Sequence, residues 1–339
     1  MIVLFLTRSF FPNRGGVEEH IKNISFGLMK RGKNVSVITR KSDFALKDNE
    51  IYRGIKIRRF FQPEIKFVGL LLTWYWIVKN IGFIKRADVV HIHDVFVWYL
   101  PLKILLPRKK VYITFHGWEG TYPIPFLNIV QKRLASNLSK RSLSIGEYIS
   151  LHYGIRKDAL SYGATNIPNR LSLLKESFIY VGRLEEDTGL KTFLEMFKVN
   201  KINNIEFCGD GSLSNECKKY GTVQGFVDPQ LSYAKAKYCF ASGYLTILEA
   251  LSNKCLVYVA YGNPLKRDYY EMAPFSKYIV IGKNSQELLK KFNFYEKNPE
   301  EAKKKINKGY NWVKHQTWEK LVDDYLKLWG VDEKNKKNN

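Results

Sequence analysis

Hydrophobic and polar positions follow two different periods within the first 40 residues. Residues 2–6 form a short apolar run typical of a buried strand, and residues 35–39 form another. Between them, the apolar residues at 17, 21, 24 and 28 recur at helical spacing, and Gly15 and Gly16 precede this stripe. The order strand, glycine loop, helix, strand predicts a parallel βαβ unit, in which a ligand can approach the start of the helix closely.

The same alternation recurs along the chain in two series, separated by residues 162–170, where Gly, Pro and Asn predict a linker. Two α/β domains are therefore expected. Helices are predicted from about residue 189, at 245–251, at 285–294 and at 312–325. Strands are predicted at 55–61, 88–94, 111–115, 142–145, 177–181, 205–208, 222–225, 256–260 and 278–281.

The stretch 239–261 brings a helical and a strand pattern together at one carboxylate, Glu249. A Ser242-Gly243-Tyr244 turn comes first, and leucines at 245, 248 and 251 follow at helical spacing. A helix that begins at a glycine turn directs free N–H groups and the positive end of its dipole at that turn. This geometry suits a phosphate or a sugar. In the alternative interpretation, the helix only packs on a sheet and Glu249 is solvated.

Length and composition indicate an enzyme-sized globular protein, since 339 residues with 45% apolar composition suffice for about two cores. The cysteines at 208, 217, 239 and 255 lack metal-site spacing, so reduced and mostly buried thiols are expected. The first apolar run meets Arg8 too early for a signal peptide, which predicts a cytoplasmic protein.

The formal net charge is +23, and residues 1–175 carry most of it, with 29 Lys and Arg against 11 Asp and Glu. Such a field suits nucleic acid, phosphorylated lipid or an anionic membrane surface, or it belongs to a solvated lysine-rich surface. Residues 67–78 are apolar and too short to span a membrane. They predict either a core helix or an interfacial helix with Trp74, Tyr75 and Trp76 at headgroup level. No nucleic-acid motif accompanies the charge.

Histidines mark the carboxyl ends of two strands. His91 and His93 share one face of a strand, but the other histidines add no second metal-ligand motif, so no metal site is predicted. His116 and Gly117 follow the strand at 111–115, at the edge where open α/β sheets place their sites. We therefore expect His116 to contact a ligand.

Seven short motifs occur in one order: GGVEEH, DVVHIHD, TFHG, YVGRLEEDTGLKTFLE, FCGDGSL, GFVDP and ILEAL. In this order the chain resembles retaining GT-B glycosyltransferases of family 4, from about residue 1 to residue 328. The resemblance implies two Rossmann-like domains that face a cleft, with a C-terminal helix that crosses back to the first. The expected boundaries are 1–168 for an acceptor domain, 169–310 for a nucleotide-sugar domain, 311–330 for that helix and 331–339 for a disordered tail.

The resemblance also implies roles for individual residues. His116, Arg183 and Glu249 would be the catalytic residues: His116 beside the donor sugar, Arg183 at the leaving diphosphate and Glu249 at the ribose hydroxyls. Donor-binding residues would be Gly15, Gly16, Lys191, Gly211, Phe226, Gly243, Tyr244 and Leu245. The implied reaction moves a hexose, with retention, from a UDP or GDP sugar to a lipid-linked or surface glycan acceptor. No Asp-x-Asp motif stands at a strand end, so neither a metal nor another cofactor is expected.

Two positions depart from the family pattern. The lysine expected five residues after Arg183 is Thr188, with Lys191 three residues further on, and the glutamate expected eight residues before Glu249 is Ala241. These changes imply an inactive protein, an altered donor preference or contacts rebuilt elsewhere, of which the last is favoured. A non-catalytic GT-B scaffold, a nucleotide-sugar epimerase on the same fold and a basic nucleic-acid-binding protein are the alternative functions.

Overall fold

The computed structural model describes residues 1–117, 120–169 and 175–331. The chain divides into two compact units. Unit 1 contains the described residues up to 161, apart from 120–122, together with those from 318 onwards. Unit 2 contains residues 120–122 and the described part of 162–317. The passage between units after residue 161 coincides with the start of the predicted linker, whereas the expected boundary was 168.

Unit 1 is built on an eight-stranded sheet with the order β3-β4-β2-β1-β5-β6-β7-β8, in which only β3 is antiparallel to its neighbour. Its central strands are buried almost throughout, which explains their continuous apolar pattern. The order of the strands reverses between β1 and β5. The strands are β1 (Ile2–Thr7), β2 (Asn34–Arg40), β3 (Asn49–Tyr52), β4 (Ile55–Phe60), β5 (Val89–His93), β6 (Val111–Phe115), β7 (Arg141–Ile145) and β8 (Ala159–Ser161).

Six helices lie between these strands in the described part of unit 1. The predicted βαβ unit is confirmed, with the first helix packed on β2 by the apolar stripe that contains Ile21, Ile24 and Leu28. The helices are α1 (Gly16–Lys30), α2 (Lys66–Lys79), α3 (Ile81–Arg86), α4 (Phe96–Leu105), α5 (Phe126–Leu138) and α6 (Glu147–Tyr153). Of the described helices, none combines the length and the apolar character that crossing a membrane requires.

Unit 2 is built on a six-stranded, wholly parallel sheet with the order β11-β10-β9-β12-β13-β14. Here the order reverses between β9 and β12. The strands are β9 (Ser177–Val181), β10 (Ile205–Cys208), β11 (Gly221–Gly225), β12 (Ala236–Ala241), β13 (Leu256–Ala260) and β14 (Val280–Gly282). The helices are α7 (Leu190–Asn200), α8 (Ser214–Cys217), α9 (Gln230–Lys235), α10 (Tyr244–Ser252), α11 (Pro264–Glu271), α12 (Ser285–Lys297) and α13 (Pro299–Val313). All four cysteines are buried free thiols in this unit, as predicted.

The C-terminal segment forms two helices, and the prediction of one continuous helix through 312–325 was wrong. Helix α13 ends at Val313, and the amide of Gln316 still donates to the carbonyl of Val313 at 2.8 Å. The carbonyl of Gln316 accepts from the amide of Thr165 at 2.9 Å, and Thr317 pairs with the same residue, so the backbone is extended there. Helix α14 (Trp318–Trp329) then belongs to unit 1, where it packs on α1. The expected domain boundary at 310 lies inside α13. Of the expected tail, residues 332–339 lie outside the described residues.

Two glycines at strand ends allow a close backbone approach in unit 2. Gly182 follows β9 with φ +147°, and its amide donates to the carbonyl of Cys208 at 3.2 Å. A Cβ on Gly209, which follows β10, would lie 1.8 Å from the carbonyl oxygen of Gly182. The loops after β9 and β10 are therefore in direct contact only because position 209 has no side chain.

Gly209→Ala is expected to destabilise unit 2 by about 1–3 kcal/mol, because the strand ends must separate to admit the methyl group. Gly262→Ala is the matched control, since a Cβ at position 262 meets no described atom within 4 Å. Urea unfolding of the two variants measures the difference. Equal midpoints for the two variants would contradict the close approach.

Candidate active site

The carboxyl ends of β5 and β6 in unit 1 hold His116 in a fixed loop. Asp94 follows β5 with φ +60°, and its carboxylate oxygens accept from the amide of His116 at 3.3 and 3.2 Å. The ammonium of Lys132 lies 3.8 Å from the same carboxylate and donates to the carbonyl of Gly117. This edge adjoins the point where the strand order reverses, which is where open α/β sheets bind ligands.

Four histidines cluster beneath this loop. Nδ1 of His93 lies 2.7 Å from Nε2 of His116, and the ring of His20 meets that of His116 edge-on at 4.7 Å. Burial lowers the pKa of His116 to about 3, with further contributions from His91 and Lys132, and burial also lowers the pKa values of His20, His91 and His93 well below 6.5. Near neutral pH these imidazoles are uncharged hydrogen-bonding groups. Within the described ranges, no group of three or more His, Cys, Asp or Glu has a metal-binding arrangement.

Helix α14 orients two of these histidines, a role that the sequence did not reveal. The indole of Trp329 donates to Nδ1 of His91 at 2.9 Å. Nε2 of His91 therefore carries the proton and donates to Thr114 Oγ1 at 2.7 Å, since an indole is a donor only. Thr114 Oγ1 lies 2.8 Å from the hydroxyl of Tyr325, which in turn lies 2.8 Å from Nε2 of His20. The apolar stripe predicted the helical position of Tyr325, but its partners lie more than 200 residues earlier in the chain.

The predicted glycine pair lies at the start of α1, with Gly15 before the helix and Gly16 as its first residue. Gly15 is the N-cap of α1, and its carbonyl accepts from the amide of Glu19 at 2.9 Å. A Cβ on Gly15 would approach the carboxylate of Glu18 to 2.5 Å, whereas a Cβ on Gly16 would meet no described atom within 4 Å. The start of α1 is therefore open beside Gly16.

In unit 2, Arg183 follows β9 at the reversal point of the second sheet. Its guanidinium donates to Asp187 at 2.7 Å, and 61% of the side chain is exposed, so this ion pair is weak and the cation is accessible. Lys191, the expected second cation, is half exposed and pairs with Glu186. Both lysine and glutamate lie at the surface.

The loop after β10 is joined to the loop after β9. Gly211 has φ +154°, and a Cβ there would lie 2.5 Å from the carbonyl oxygen of Leu184. The carboxylate of Glu185 accepts from the amide and the hydroxyl of Ser212 at 3.0 and 2.6 Å, and these bonds lower its pKa. Phe226 follows β11 with 57% of its surface exposed. The glycine loop and an exposed ring therefore lie on neighbouring strands of one edge.

Helix α10 begins at Tyr244 with Gly243 as its N-cap, at the end of the predicted turn, but one of its amides already has a partner. The N–H of Tyr244 donates to the hydroxyl of Tyr269 at 2.8 Å, and the two rings stack at 4.0 Å. Of the expected Gly243-Tyr244-Leu245 amides, that of Tyr244 is thus occupied. Glu249 is half-buried on the same helix, and its carboxylate accepts from the buried hydroxyl of Tyr233 at 3.2 Å.

Comparisons with known proteins agree with this architecture. Residues 14–163 match the model of Glycosyltransferase Family 4. Sucrose-phosphate synthase from Thermosynechococcus elongatus superposes with a TM-score of 0.77 at 14% identity, covering 97% of this chain and 98% of that one. A structure of trehalose-6-phosphate from E. coli bound with UDP-2-fluoro glucose superposes with a TM-score of 0.69 at 9% identity, covering 96% and 98%. The chain has the GT-B fold, and its first half is similar to Glycosyltransferase Family 4.

A curated relative adds sequence similarity over part of the chain. A GDP-mannose:cellobiosyl-diphosphopolyprenol alpha-mannosyltransferase from Xanthomonas campestris is 31% identical over 126 residues, which are 34% of this chain and 31% of the relative. The match therefore spans about a third of the relative's length. The two positions that depart from the expected pattern, Thr188 and Ala241, are buried at 3% and 0% exposure.

The clustered histidines are uncharged in the folded protein, whereas free histidines titrate near pH 6.5 in the unfolded chain. The folded state therefore binds fewer protons below that pH. Its stability is expected to fall as the pH drops below about 6.5. For His116 the loss continues to its folded pKa of about 3. His116→Gln should reduce the pH slope of the unfolding free energy by about one proton, or about 1.4 kcal/mol per pH unit. Urea unfolding between neutral and mildly acidic pH measures these slopes.

A His116→Gln slope equal to that of the parent protein would show that His116 is charged in the fold.

Proposed function

We propose that the chain is a glycosyltransferase that moves a hexose, with retention, from a nucleotide diphosphate sugar to a lipid-linked or surface glycan. The observation that carries this proposal is the accessible Arg183 at the reversal point of the unit 2 sheet, on the same edge as the start of α10 and its half-buried Glu249. The cation and the helix start match the diphosphate of such a donor. The carboxylate matches the hydroxyls of its ribose. The relative named for GDP-mannose and the structure bound with UDP-2-fluoro glucose support the donor class.

In the proposed reaction the bond between the anomeric carbon and the phosphate oxygen breaks, and the acceptor oxygen forms a bond to the same carbon. The proton of the acceptor hydroxyl passes to the departing diphosphate oxygen on the same face of the sugar. Arg183 stabilises the charge that grows on the diphosphate. Ala241 offers no carboxylate nucleophile at the position where the family pattern has a glutamate, which agrees with a reaction without an enzyme-bound sugar.

His116 would serve as an uncharged hydrogen-bonding partner of the donor sugar. Its amide is held by Asp94 and its ring by His93, so the imidazole is fixed before a ligand arrives. Fixing the group in advance reduces the ordering that binding requires. A neutral ring also avoids placing a second positive charge near a sugar that becomes cationic in the transition state.

Glu249→Ala is expected to weaken nucleoside diphosphate binding by about tenfold or more, because a carboxylate that accepts from ribose hydroxyls contributes about 1.5–3 kcal/mol. Arg183→Gln should lower turnover more than affinity, since the charge on the leaving group is largest in the transition state. Calorimetry with UDP and GDP, and transfer assays over a panel of UDP and GDP sugars, measure the two effects.

Two controls separate these effects from folding. Glu195→Gln changes an exposed carboxylate on α7, and Arg267→Gln removes a half-exposed arginine that is paired with Asp268 as Arg183 is with Asp187. Both should resemble the parent protein. Absence of binding and turnover with every UDP and GDP sugar would contradict the function and favour a non-catalytic scaffold.

The acceptor is proposed to lie at an anionic membrane, because α2 leaves an apolar face uncovered. Phe67, Leu71 and Tyr75 follow one another at helical spacing with 80%, 59% and 65% of their surfaces exposed. Neighbouring α4 exposes Ile104, and α5 exposes a further stripe that begins with Phe126. Exposed apolar stripes on three contacting helices are typical of an interaction surface.

The charge near α2 favours lipid over nucleic acid as the partner. Lys79 lies over the ring of Tyr75 at 6.0 Å, and the exposed Lys85 and Arg86 follow on α3. An apolar helix face bordered by cations matches the acyl chains and the anionic headgroups of a membrane together, whereas nucleic acid has no use for the apolar face. The relative's diphosphopolyprenol acceptor supports the same location.

The double variant Phe67→Ser, Tyr75→Ser should lose about tenfold or more of its affinity for vesicles of phosphatidylcholine mixed with phosphatidylglycerol, since buried aromatic side chains each contribute about 1.5–3 kcal/mol. Sedimentation with these vesicles at low and high salt measures the affinity of each variant. Phe294→Ser, at a half-exposed phenylalanine of α12, is the control. Binding that is insensitive to both salt and phosphatidylglycerol would contradict an anionic membrane surface.

A further inference from the structure

The two departures from the family pattern are structural positions in this chain. The hydroxyl of Thr188 donates to the carbonyl of Glu185 at 2.6 Å and lies 3.0 Å from the hydroxyl of Tyr180, and its side chain is buried. Ala241 is fully buried at the end of β12, where it pairs with Val181 of β9. Neither position offers a charged group to a ligand. A second cation beside Arg183 at this strand edge must therefore come from another element.

Lys266 of α11 brings an ammonium to this edge. Only 7% of the residue is exposed, and Nζ donates to the carbonyl of Ser242, the residue directly after β12, at 2.8 Å. The rings of Tyr269 and Tyr270 face the ammonium at 4.4 and 5.1 Å. The hydroxyl of Tyr270 donates to the same carbonyl at 3.1 Å. The ammonium is therefore held at the carboxyl end of β12, next to the reversal point of the sheet.

A buried ammonium is unfavourable unless an anion compensates it. Across the described parts of the chain, no carboxylate lies within ion-pair distance of Lys266. Asp187 acts on it from further away, but that carboxylate is paired with Arg183 at 2.7 Å. Arg183 is close enough to repel the ammonium, and burial is the main reason that the pKa of Lys266 falls to about 8. Two cations, Arg183 and Lys266, thus act on the one carboxylate of Asp187.

We propose that Lys266 and Arg183 bind the diphosphate of the donor together, and that Lys266 replaces the cation which Thr188 lacks. This inference rests on the proposed function, because it names the group that holds the donor of that reaction. An ammonium has three donors, and one of them is used by Ser242, so the others remain for phosphate oxygens. The bound diphosphate supplies the anion that the buried ammonium needs.

The position of Lys266 also fits a role in turnover. Negative charge grows on the diphosphate as its bond to the sugar breaks, and a cation fixed in a largely water-excluded site stabilises that charge most. Because Lys266 titrates near pH 8 without a ligand, binding a diphosphate requires the protonated form and raises its pKa.

Lys266→Met tests this assignment, with calorimetry of pyrophosphate, UDP and GDP as the measurement. We expect the variant to bind the best of these ligands about tenfold or more weaker, since charge-assisted contacts contribute about 1.5–3 kcal/mol. The affinity of the parent protein should fall as the pH rises above about 8, and the variant should lack this dependence. Lys277→Met is the control, because Lys277 is exposed and lies over the ring of Tyr278 at 5.3 Å.

A thermal melt distinguishes binding from a structural role. Removing a buried charge should leave the melting temperature of Lys266→Met unchanged or higher below pH 8, whereas a residue that only maintains the fold would lower it. If Lys266→Met fails to fold, Lys266→Gln keeps a donor for Ser242 and allows the same comparison.

The remaining outcomes separate the inference from the proposed function. Equal affinities of Lys266→Met and the parent protein, or a loss confined to Lys191→Met, would overturn the role of Lys266 and leave the glycosyltransferase proposal standing. Lys266-dependent binding of pyrophosphate without turnover of any UDP or GDP sugar would support the diphosphate site and overturn the transferase.

Discussion

The parallel arrangement of the strands is the constraint on which the candidate site depends. In a parallel sheet every strand ends at the same edge, so residues that are far apart in the sequence are brought together wherever the strand order reverses. In unit 1 this edge collects Asp94 and His116, and in unit 2 it collects Gly182, Arg183 and Ser242. Each unit thus gathers polar groups at the carboxyl ends of its strands.

Burial determines what these groups can do. The histidines beneath His116 are packed so closely that charging one of them is unfavourable, and the cluster functions as a set of uncharged hydrogen-bonding groups. Their orientation depends on α14, whose Trp329 fixes the tautomer of His91. Helix α14 therefore fixes the orientation of side chains from the first 120 residues. The histidine cluster takes this geometry only when α14 is packed in unit 1.

Much of the fold was predictable because apolar periodicity reports burial locally. The strands at 111–115, 177–181, 205–208 and 256–260 have the predicted bounds. The sequence did not predict β12 separately, nor the break after Val313, since the extended backbone that follows pairs with Thr165, about 150 residues earlier. Lys266 was missed for a related reason: it lies on α11, outside every motif, and only the packing of α11 against the end of β12 gives it a role.

The same reasoning explains why the position of a cation matters more than its presence. A lysine in the loop after β9, where Arg183 is largely exposed, would be screened by water and salt and would interact weakly with phosphate. Lys266 lies between two tyrosine rings and the end of β12, where the dielectric response is lower and an attraction to an anion is stronger. Burial disfavours the charged ammonium there, which lowers the pKa of Lys266. A bound diphosphate compensates the charge and raises this pKa again. A buried cation at this edge thus lowers the stability of the unliganded fold and interacts more strongly with an anionic ligand than an exposed cation would.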